Sequence, residues 1–317
     1  MECIPLRNIL DLIPAHIHSQ RHASVSSVAN SDSPALVQRL TLSGEVDAVN
    51  LIVKQVTHTE WTAHSLVSSA FSHVVPSLIG CGQAKANAYY LVMEDCGGPE
   101  DEKLMDLPAM HTALRLLASV HQRFANNKRR LSEAGLSTAG LDASTVAFRL
   151  SRALDVLVGL VPVFDVGVDE QQLKAAGVAA ANLVCETAPL LDDSRHTLVH
   201  GDFHFGNIFL SSGGEVRLGD WGNAGIQSPA WDLIMCSENE VAYYLDRVAA
   251  PDGFFTLLRA AVLYRLAEFI TTGVALLLSP ANSAGAALPL CIERFVEAAA
   301  GADFRGGRGV QIPPVSV

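Results

Sequence analysis

Short strand-like patterns dominate the first hundred residues. Apolar and polar residues alternate over Ala35–Leu42, and a continuous stretch rich in β-forming residues covers Val49–Val56. Alternation is typical of a half-buried strand, and a continuous stretch is typical of a buried one. Ser24–Val28 and Ala88–Met93 predict two further strands, and the helical spacing of Glu60–Phe71 predicts one helix between them. This part of the chain therefore predicts a small sheet with this helix, and residues 4–17 add a roughly helical pattern before the first strand.

The pattern changes after a break at Gly97–Gly98. From about Asp106 onward apolar residues recur at helical spacing, and one group of short strand patterns, within 198–218, interrupts them. The predicted helices cover Leu107–Phe124, Thr145–Val158, Asp169–Leu183, Phe254–Leu278 and Pro289–Ala300. A strand-rich part followed by a helix-rich part is typical of the α+β class. We predict an N-terminal lobe at 1–97, a larger C-terminal lobe at 98–317, and a ligand-binding cleft between them.

One segment, Thr197–Ile234, concentrates the polar side chains that could perform chemistry. It runs from a short strand into a polar loop that carries Asp202 and Asn207, and a predicted hairpin then leads back to Asp220. Because a hairpin returns the chain towards its start, we expect the oxygen atoms of these three side chains to converge. Oxygen ligands of this kind suit Mg²⁺, which proteins hold through one or two carboxylates together with substrate phosphates. The arrangement predicts phosphoryl transfer, which depends mainly on positioning and charge neutralisation.

Other metal and catalytic motifs receive little support. His196, His200 and His204 recur every four residues, as on a metal-binding helix face. The residues around them favour a loop instead: Gly201, Phe203, Phe205 and Gly206. No set of cysteines or carboxylates completes a zinc-ligand spacing around the histidines. The sequence also has no GxSxG, HExxH, P-loop or GxGxxG motif, so hydrolase and Rossmann functions are not indicated.

The segment reads HGDFHFGN, then GDWGNAG, then SPAWDL, and this ordered set resembles the aminoglycoside phosphotransferase/choline kinase-like family. The N-terminal part is similar as well. Lys54, which ends the stretch Asn50–Lys54, resembles the family's nucleotide-binding lysine on the third strand, and Tyr90–Gly98 resembles its hinge between lobes. With the motifs in order over Val25–Leu233, the resemblance covers most of the chain. It implies a bilobal, protein-kinase-like fold with a small antiparallel sheet in the N-lobe and a larger, mostly helical C-lobe.

The resemblance also implies a role for each matching residue. Asp202 would be the catalytic carboxylate that orients or deprotonates the acceptor hydroxyl. Asn207 and Asp220 would hold Mg²⁺ on the phosphates of ATP or GTP. Lys54 would pair with the α/β-phosphates, and Glu60 would be its ion-pair partner. The remaining assignments are a phosphate-covering loop with Asn30, Ser31 and Ser33, backbone contacts of Glu94 and Cys96 with adenine, and structural support from His200, His204 and Asp232.

Three features depart from the family pattern. Lys54 and Glu60 are only six residues apart, so either the helix begins directly after the strand or the ion pair is imperfect. Gly222 stands where an acidic residue often follows the Asp–Trp pair, and Ser228 stands where an aspartate often precedes the proline. The departures at 222 and 228 could alter the geometry of the substrate or metal site, although the three oxygen ligands are present.

Composition narrows the choice of partners. The chain has 22 Lys+Arg against 33 Asp+Glu, a formal net charge of −11, so a basic nucleic-acid footprint is not expected. Six scattered cysteines without a CxxC pair predict reduced thiols and a cytoplasmic protein. We find neither a signal-peptide pattern nor an apolar run of the ~20 residues that a membrane span needs.

Two hypotheses about function follow. The first is a Mg²⁺-dependent kinase that moves the γ-phosphoryl group of ATP or GTP to a hydroxyl of a small molecule: an aminoglycoside or macrolide antibiotic, an amino-alcohol or a sugar. The second is a catalytically silent nucleotide-binding module with an interaction or regulatory role, favoured by the short Lys54–Glu60 spacing and the glycine-poor phosphate loop. A protein kinase is a poorer third, because no activation segment separates Asp220 from Trp231. The sequence leaves the acceptor and the oligomeric state open.

Overall fold

A computed structural model provides the structure of the protein. It describes residues 4–19, 21–28, 36–44, 47–85, 88–97, 107–138, 143–160, 168–191, 196–211, 213–249, 252–277 and 284–300. Within these ranges the chain forms an N-terminal antiparallel sheet and a C-terminal part that is mostly helical. The predicted α+β class is therefore confirmed.

Five antiparallel strands form the sheet, in the order β1-β2-β3-β5-β4. They are β1 (His22–Ser27), β2 (Val37–Ser43), β3 (Ala48–Thr57), β4 (Leu78–Lys85) and β5 (Ala88–Glu94). Successive side chains of a strand point to opposite faces of the sheet. Val53 thus packs with Leu40 and with Ile9 of the short helix α1 (Leu6–Leu10), while Lys54 points to the opposite face. Both faces of β3 are buried there, and Lys54 is placed on the side that can meet the helical part.

A second short helix, α2 (Ala15–His18), precedes the sheet. Helix α3 (His58–Ala70) begins directly after β3. Thr57 is the N-cap residue of α3, and its hydroxyl accepts the backbone N–H of Glu60 at 3.3 Å. Such a cap satisfies one of the N–H groups that a helix start leaves without a partner. The immediate start is the first of the two alternatives that the Lys54–Glu60 spacing allowed.

Seven helices make up most of the described C-terminal part. They are α4 (Leu107–Phe124), α5 (Lys128–Glu133), α6 (Ala143–Leu160), α7 (Glu170–Leu191), α8 (Glu238–Leu245), α9 (Phe254–Leu277) and α10 (Ala284–Ala300). One apolar cluster joins α4 to the strands around the polar loop, with Leu117, Leu198 and Trp221 at its centre. A second cluster joins α6, α7, α9 and α10. Each fully buried apolar side chain contributes about 1.5–3 kcal/mol to stability, so the first cluster anchors the strands on both sides of the polar loop.

Four short strands surround the polar loop. They are β6 (Thr197–Val199), β7 (Ile208–Leu210), β8 (Val216–Leu218) and β9 (Gly225–Gln227). β7 and β8 form the predicted hairpin, and β6 pairs with β9, which the sequence pattern did not predict. Because β6 pairs with β9, the strand before the polar loop lies beside the strand that follows the hairpin.

Helix α7 is longer than predicted. The apolar pattern predicts an end at Leu183, but the helix continues to Leu191 and includes Pro189. Thr187 is the next residue of the buried stripe, and its hydroxyl donates to the Leu183 carbonyl at 2.8 Å. A polar residue that is satisfied inside its own helix interrupts the apolar pattern without ending the helix. Pro189 lies near the C-terminal end, where its missing N–H removes a single hydrogen bond.

The lobe boundary predicted after residue 97 falls between β5 and α4 and stays a prediction. None of the helices in the described ranges has the length and apolar character required to cross a bilayer.

Candidate active site

The polar loop lies between β6 and β7, and a glycine shapes its backbone. Gly201 has φ +83°, and a Cβ added there would lie 1.9 Å from the carbonyl oxygen of Asn223. Only glycine combines a left-handed backbone with so close an approach. Further along, His204 Nδ1 accepts the backbone N–H of Gly206 at 3.0 Å, which caps the 3₁₀ turn at Phe205–Asn207. The backbone conformation of the loop is therefore constrained near both of its ends.

Asp232 fixes the start of the loop. Its buried carboxylate accepts the backbone N–H groups of His200 and Gly201, both at 2.7 Å. His121 Nε2 lies 3.0 Å from the same carboxylate, and the hydroxyl of Tyr244 lies 2.7 Å from the other His121 ring nitrogen. A buried carboxylate is tolerated only with such partners. This network ties the loop to α4 and α8.

His200 links the loop to the β7–β8 hairpin. Its Nε2–H donates to the Gly219 carbonyl at 2.7 Å, and its Nδ1 accepts the backbone N–H of Asp202 at 3.3 Å. One donating and one accepting nitrogen define a neutral imidazole. Burial lowers the pKa of His200, in agreement with the neutral form. The ring thus holds the backbone of Asp202 in register with the hairpin.

Asp202, Asn207 and Asp220 are brought together through the backbone. Asn207 Nδ2 donates to the backbone carbonyl of Asp202 at 2.8 Å, and the N–H of Gly219 donates to the carbonyl of Asn207 at 3.0 Å. Asp220 follows Gly219 directly, so the hairpin returns the chain as the sequence indicates. Because the amide nitrogen of Asn207 faces the loop, its amide oxygen points away from the loop.

Lys54 joins this group from the sheet. Its Nζ lies 2.6 Å from Glu60 Oε1 and 2.8 Å from Asp220 Oδ1. Lys54 and Glu60 are buried, whereas 46% of the Asp220 side chain is exposed. Burial on its own lowers the pKa of Lys54, but the two carboxylates raise it above its ordinary value. Burial raises the pKa of Glu60, against the opposing effect of Lys54. The ammonium therefore stays charged, and of its two partners Asp220 is the one that solvent reaches.

The backbone around Asp220 leaves little room. Asp220 has φ +58° and ψ +64°, a left-handed conformation that aspartate tolerates better than most residues. A Cβ added at Gly222 would lie 3.4 Å from Asp220 Oδ1 and 3.6 Å from Glu60 Oε2. The acidic residue that the family often carries at this position would place a third carboxylate beside those two. Glycine at 222 avoids that repulsion.

Asp202 faces helix α9. Arg265 Nη2 donates to Asp202 Oδ1 at 2.6 Å, and Arg265 Nη1 donates to Glu268 Oε2 at 2.9 Å. His204 Nε2 lies 3.8 Å from Asp202 Oδ2. Burial on its own raises the pKa of Asp202, but His204 and the charge of Arg265 together lower it below its ordinary value. Asp202 therefore carries a negative charge at neutral pH.

Sequence reasoning missed Arg265. It lies 63 residues after Asp202, inside the long apolar pattern of α9, and belongs to none of the motifs. The only available signal is a charged residue in a helix that is otherwise strongly apolar. Such a signal shows that the position is not simple core, but it does not show which distant loop the charge meets.

The predicted adenine-binding residues follow β5. The backbone N–H of Glu94 donates to the Ser77 carbonyl at 2.9 Å, so only the Glu94 carbonyl could meet an adenine. The Cys96 side chain is buried, and burial raises the pKa of its thiol to about 11. The thiol is therefore uncharged at neutral pH. Asp95 between them pairs with Arg39 of β2 through both carboxylate oxygens. The predicted phosphate-covering residues Asn30, Ser31 and Ser33 lie outside the described residues.

The donor set fits a hard divalent cation. Asn207 offers an amide oxygen and Asp220 an exposed carboxylate, which are the ligand types that Mg²⁺ accepts when phosphates supply the remaining positions. In the described part of the chain, no three His, Cys, Asp or Glu side chains form a cluster suited to a metal.

Solved structures with the same fold identify the class of protein. Spectinomycin phosphotransferase APH(9)-Ia, solved with ADP and spectinomycin, has a TM-score of 0.56 at 13% identity, covering 96% of this chain and 100% of its own. Aminoglycoside phosphotransferase APH(4)-Ia, a thermostable mutant solved with AMP-PNP and hygromycin B, has 0.55 at 14%, covering 94% and 100%. Choline kinase LicA from Streptococcus pneumoniae has 0.53 at 13%, covering 93% and 99%. The chain thus has the bilobal, kinase-like fold.

The family follows from the sequence. The profile of the phosphotransferase enzyme family (APH) matches residues 73–263, more than half of the chain. The chain therefore belongs to this phosphotransferase family. A search of curated proteins finds no match.

Proposed function

We propose that the protein transfers the γ-phosphoryl group of ATP or GTP, with Mg²⁺, to a hydroxyl of a small molecule. One observation carries the proposal: Lys54 and Glu60 of the N-terminal part meet Asp220 at 2.6–2.8 Å, and Asp220 is joined through Asn207 to Asp202. In the proposed reaction, this connected group supplies a cation for the phosphates, oxygen ligands for the metal and a charged carboxylate for the hydroxyl. Phosphoryl transfer requires that combination.

Each side chain has a defined task in this reaction. Lys54, oriented by Glu60, pairs with the nucleotide phosphates. Asn207 and Asp220 hold Mg²⁺, which when bound neutralises the charge of the phosphates. Asp202 orients the acceptor hydroxyl and takes its proton as the acceptor oxygen bonds to the γ-phosphorus and the bond to the β,γ-bridging oxygen breaks. The supporting residues are His200, His204 and Asp232, and the backbone at Glu94 and Cys96 faces the adenine.

The acceptor is proposed by class only. Structures with this fold were solved with spectinomycin and hygromycin B, and a further one is a choline kinase. These names support an alcohol on an aminoglycoside-type antibiotic or an amino-alcohol. A macrolide antibiotic or a sugar belongs to the proposal through the sequence resemblance. A screen of such alcohols with Mg·ATP, read by mass spectrometry for a phosphorylated product, identifies the acceptor.

Replacing Asp202 with Asn tests the mechanism. We expect kcat to fall by about 10²–10⁴-fold, because the hydroxyl loses its general base, while Mg·ATP still binds. Asp246→Asn, at an exposed position after α8, is the matched control and should keep full activity. Steady-state turnover with the acceptor from the screen, or with water as acceptor, gives kcat. Unchanged turnover of the Asp202 variant would refute the proposed function.

One of the two observations that favoured a catalytically silent nucleotide-binding module no longer supports it. The hypothesis depended on an imperfect Lys54–Glu60 pair, and that pair is formed at 2.6 Å with both side chains buried. Its second reason, the phosphate loop, concerns residues outside the described part. Binding of Mg·ATP without phosphorylation of any alcohol in the screen would favour the module.

A cytoplasmic site of action remains part of the proposal. The cysteines of the described segments, Cys81, Cys96, Cys185, Cys236 and Cys291, are free thiols. Unpaired thiols suit a reducing compartment, which also supplies the nucleotide.

A further inference from the structure

We propose that Arg265 is a positioning residue that fixes the carboxylate of Asp202 and determines which of its two oxygens receives the acceptor hydroxyl. The proposal rests on the proposed function, since Asp202 must act as the base. It assigns to α9 a part in the reaction that the sequence motifs do not contain.

The contact has the geometry of a clamp. Arg265 uses Nη2 for Asp202 Oδ1 at 2.6 Å and Nη1 for Glu268 Oε2 at 2.9 Å. Each of the three side chains is 29% exposed, so the group is partly buried and is not a fully solvated surface pair. A planar guanidinium that bridges two carboxylates has little freedom to rotate. Arg265 therefore holds the orientation of Asp202 as well as its charge.

The helix beneath the clamp is rigidly packed. Leu263 and Leu266, on either side of Arg265, are fully buried, and Ala267 is buried as well. Glu268 lies one helical turn after Arg265, where i,i+3 side chains meet. The guanidinium is thus held by its own helix before it reaches the loop. A pair of mobile surface chains would lack this support.

The clamp leaves one oxygen of Asp202 for chemistry. Oδ1 is taken by Arg265, whereas Oδ2 lies 3.8 Å from His204 Nε2, beyond the length of a hydrogen bond. We assign Oδ2 as the oxygen that accepts the hydroxyl proton. Without Arg265 the carboxylate could rotate and present either oxygen, and a misplacement of about 1 Å can cost about 100-fold in rate.

The first test replaces Arg265 with Met, which keeps the length of the side chain and removes the guanidinium. We expect kcat to fall by about 10–100-fold while KM for Mg·ATP changes less than about twofold, because Arg265 orients the base and does not touch the nucleotide. Arg294→Met is the matched control, since Arg294 also pairs with a glutamate three residues ahead, at 3.0 Å to Glu297 on α10. The control should leave both parameters unchanged.

A double-mutant cycle separates positioning from a purely structural role. If Arg265 acts through Asp202, then Arg265→Met should add little to the loss already caused by Asp202→Asn. If Arg265 had only a structural role, the fold-losses in kcat of the two single variants would multiply in the double variant. Arg265→Lys should recover part of the lost kcat, because lysine keeps the charge but cannot bridge two carboxylates. Glu268→Gln should lower kcat less than Arg265→Met, with KM unchanged.

The outcomes are distinguishable from those of the proposed function. If Asp202→Asn keeps wild-type turnover, the proposed function fails and the role of Arg265 fails with it. If Asp202→Asn is inactive but Arg265→Met behaves as Arg294→Met does, only the role of Arg265 is overturned. Multiplicative losses in the cycle would also overturn it. Should Arg265→Met fail to fold in a thermal melt, Arg265→Lys and Glu268→Gln decide by the same split between kcat and KM.

Discussion

At the scale of single residues, Gly201 shows how one position sets the course of a functional loop. It stands directly before Asp202, and its backbone passes so close to Asn223 that a Cβ would lie 1.9 Å from a carbonyl oxygen. The loop and the segment after Asp220 therefore pack backbone to backbone. A side chain at 201 would push these two segments apart.

Replacing Gly201 by Ala should lower the free energy of unfolding more than replacing Gly214 by Ala. Both glycines have positive φ, +83° and +77°, so each substitution carries a backbone cost of about 1–2 kcal/mol. Only Gly201 adds a steric clash, because no atom of the described residues lies within 4 Å of a Cβ at Gly214. Urea denaturation of the two variants measures the difference. Equal losses would show that the close approach to Asn223 is relaxed at little cost.

Residues within motifs could be assigned from sequence, whereas their distant partners could not. Asp202, Asn207 and Asp220 lie within twenty residues of one another, and a predicted hairpin is enough to bring them together. The contact of Asp202 with Arg265 depends on where α9 packs, which is set by the second apolar cluster and not by local pattern. His121, which contacts Asp232, was missed for the same reason.

At the scale of elements, period and length decide how well sequence predicts structure. The long helix α4 has the predicted bounds, Leu107–Phe124, because its apolar stripe is regular. β9 was missed because its three residues form no pattern and owe their strand conformation to pairing with β6. α7 was predicted too short because Thr187 takes an apolar position of the stripe. In β9 a tertiary contact overrides local preference, whereas in α7 a polar side chain is satisfied within its own helix.

Helix α3 carries a histidine that should make stability depend on pH. His64 is 3% exposed, and burial lowers its pKa to about 4. In the unfolded chain a histidine takes up a proton near pH 6.5. As pH falls from about 6.5 towards 4, the unfolded state therefore binds a proton that the folded state does not, and stability is lost. Over that range the loss from this one group reaches about 3 kcal/mol.

His64→Leu should flatten this part of the pH dependence. Urea denaturation between pH 7 and pH 4.5 measures the free energy of unfolding of the variant and of wild type. His73→Leu, at an exposed position just after the helix, is the control and should keep the wild-type slope. A His64 variant whose slope equals that of wild type would show that another group carries the effect.

At the scale of the whole molecule, one ion pair connects the sheet to the helical part at the site. Lys54 belongs to β3 and Asp220 follows β8, and their side chains lie 2.8 Å apart. The N-terminal part thus provides the cation, and the C-terminal part provides one of the two carboxylates that surround it. Neither part contains the site alone.

Asp220→Asn should weaken the dependence of nucleotide binding on Mg²⁺. In wild type we expect Mg²⁺ to tighten ADP binding by about tenfold or more, because a carboxylate helps to hold the metal–phosphate complex. Asparagine tolerates the left-handed backbone at this position, so the substitution changes the charge without straining the loop. Calorimetric titration with ADP, in EDTA and in Mg²⁺, measures both affinities, with Asp246→Asn as control. An unchanged ratio would exclude Asp220 as a metal ligand.

The contact between Lys54 and Asp220 bears on the order in which ligands arrive. A phosphate tail that draws the ammonium towards itself leaves Asp220 without its positive neighbour, which is costly for a carboxylate that shares that neighbour with Glu60. A nucleotide that carries its own divalent ion replaces the lost charge in the same step, whereas a bare nucleotide does not. We therefore expect the two ligands to enter as a preformed complex, and excess free nucleotide to compete only weakly.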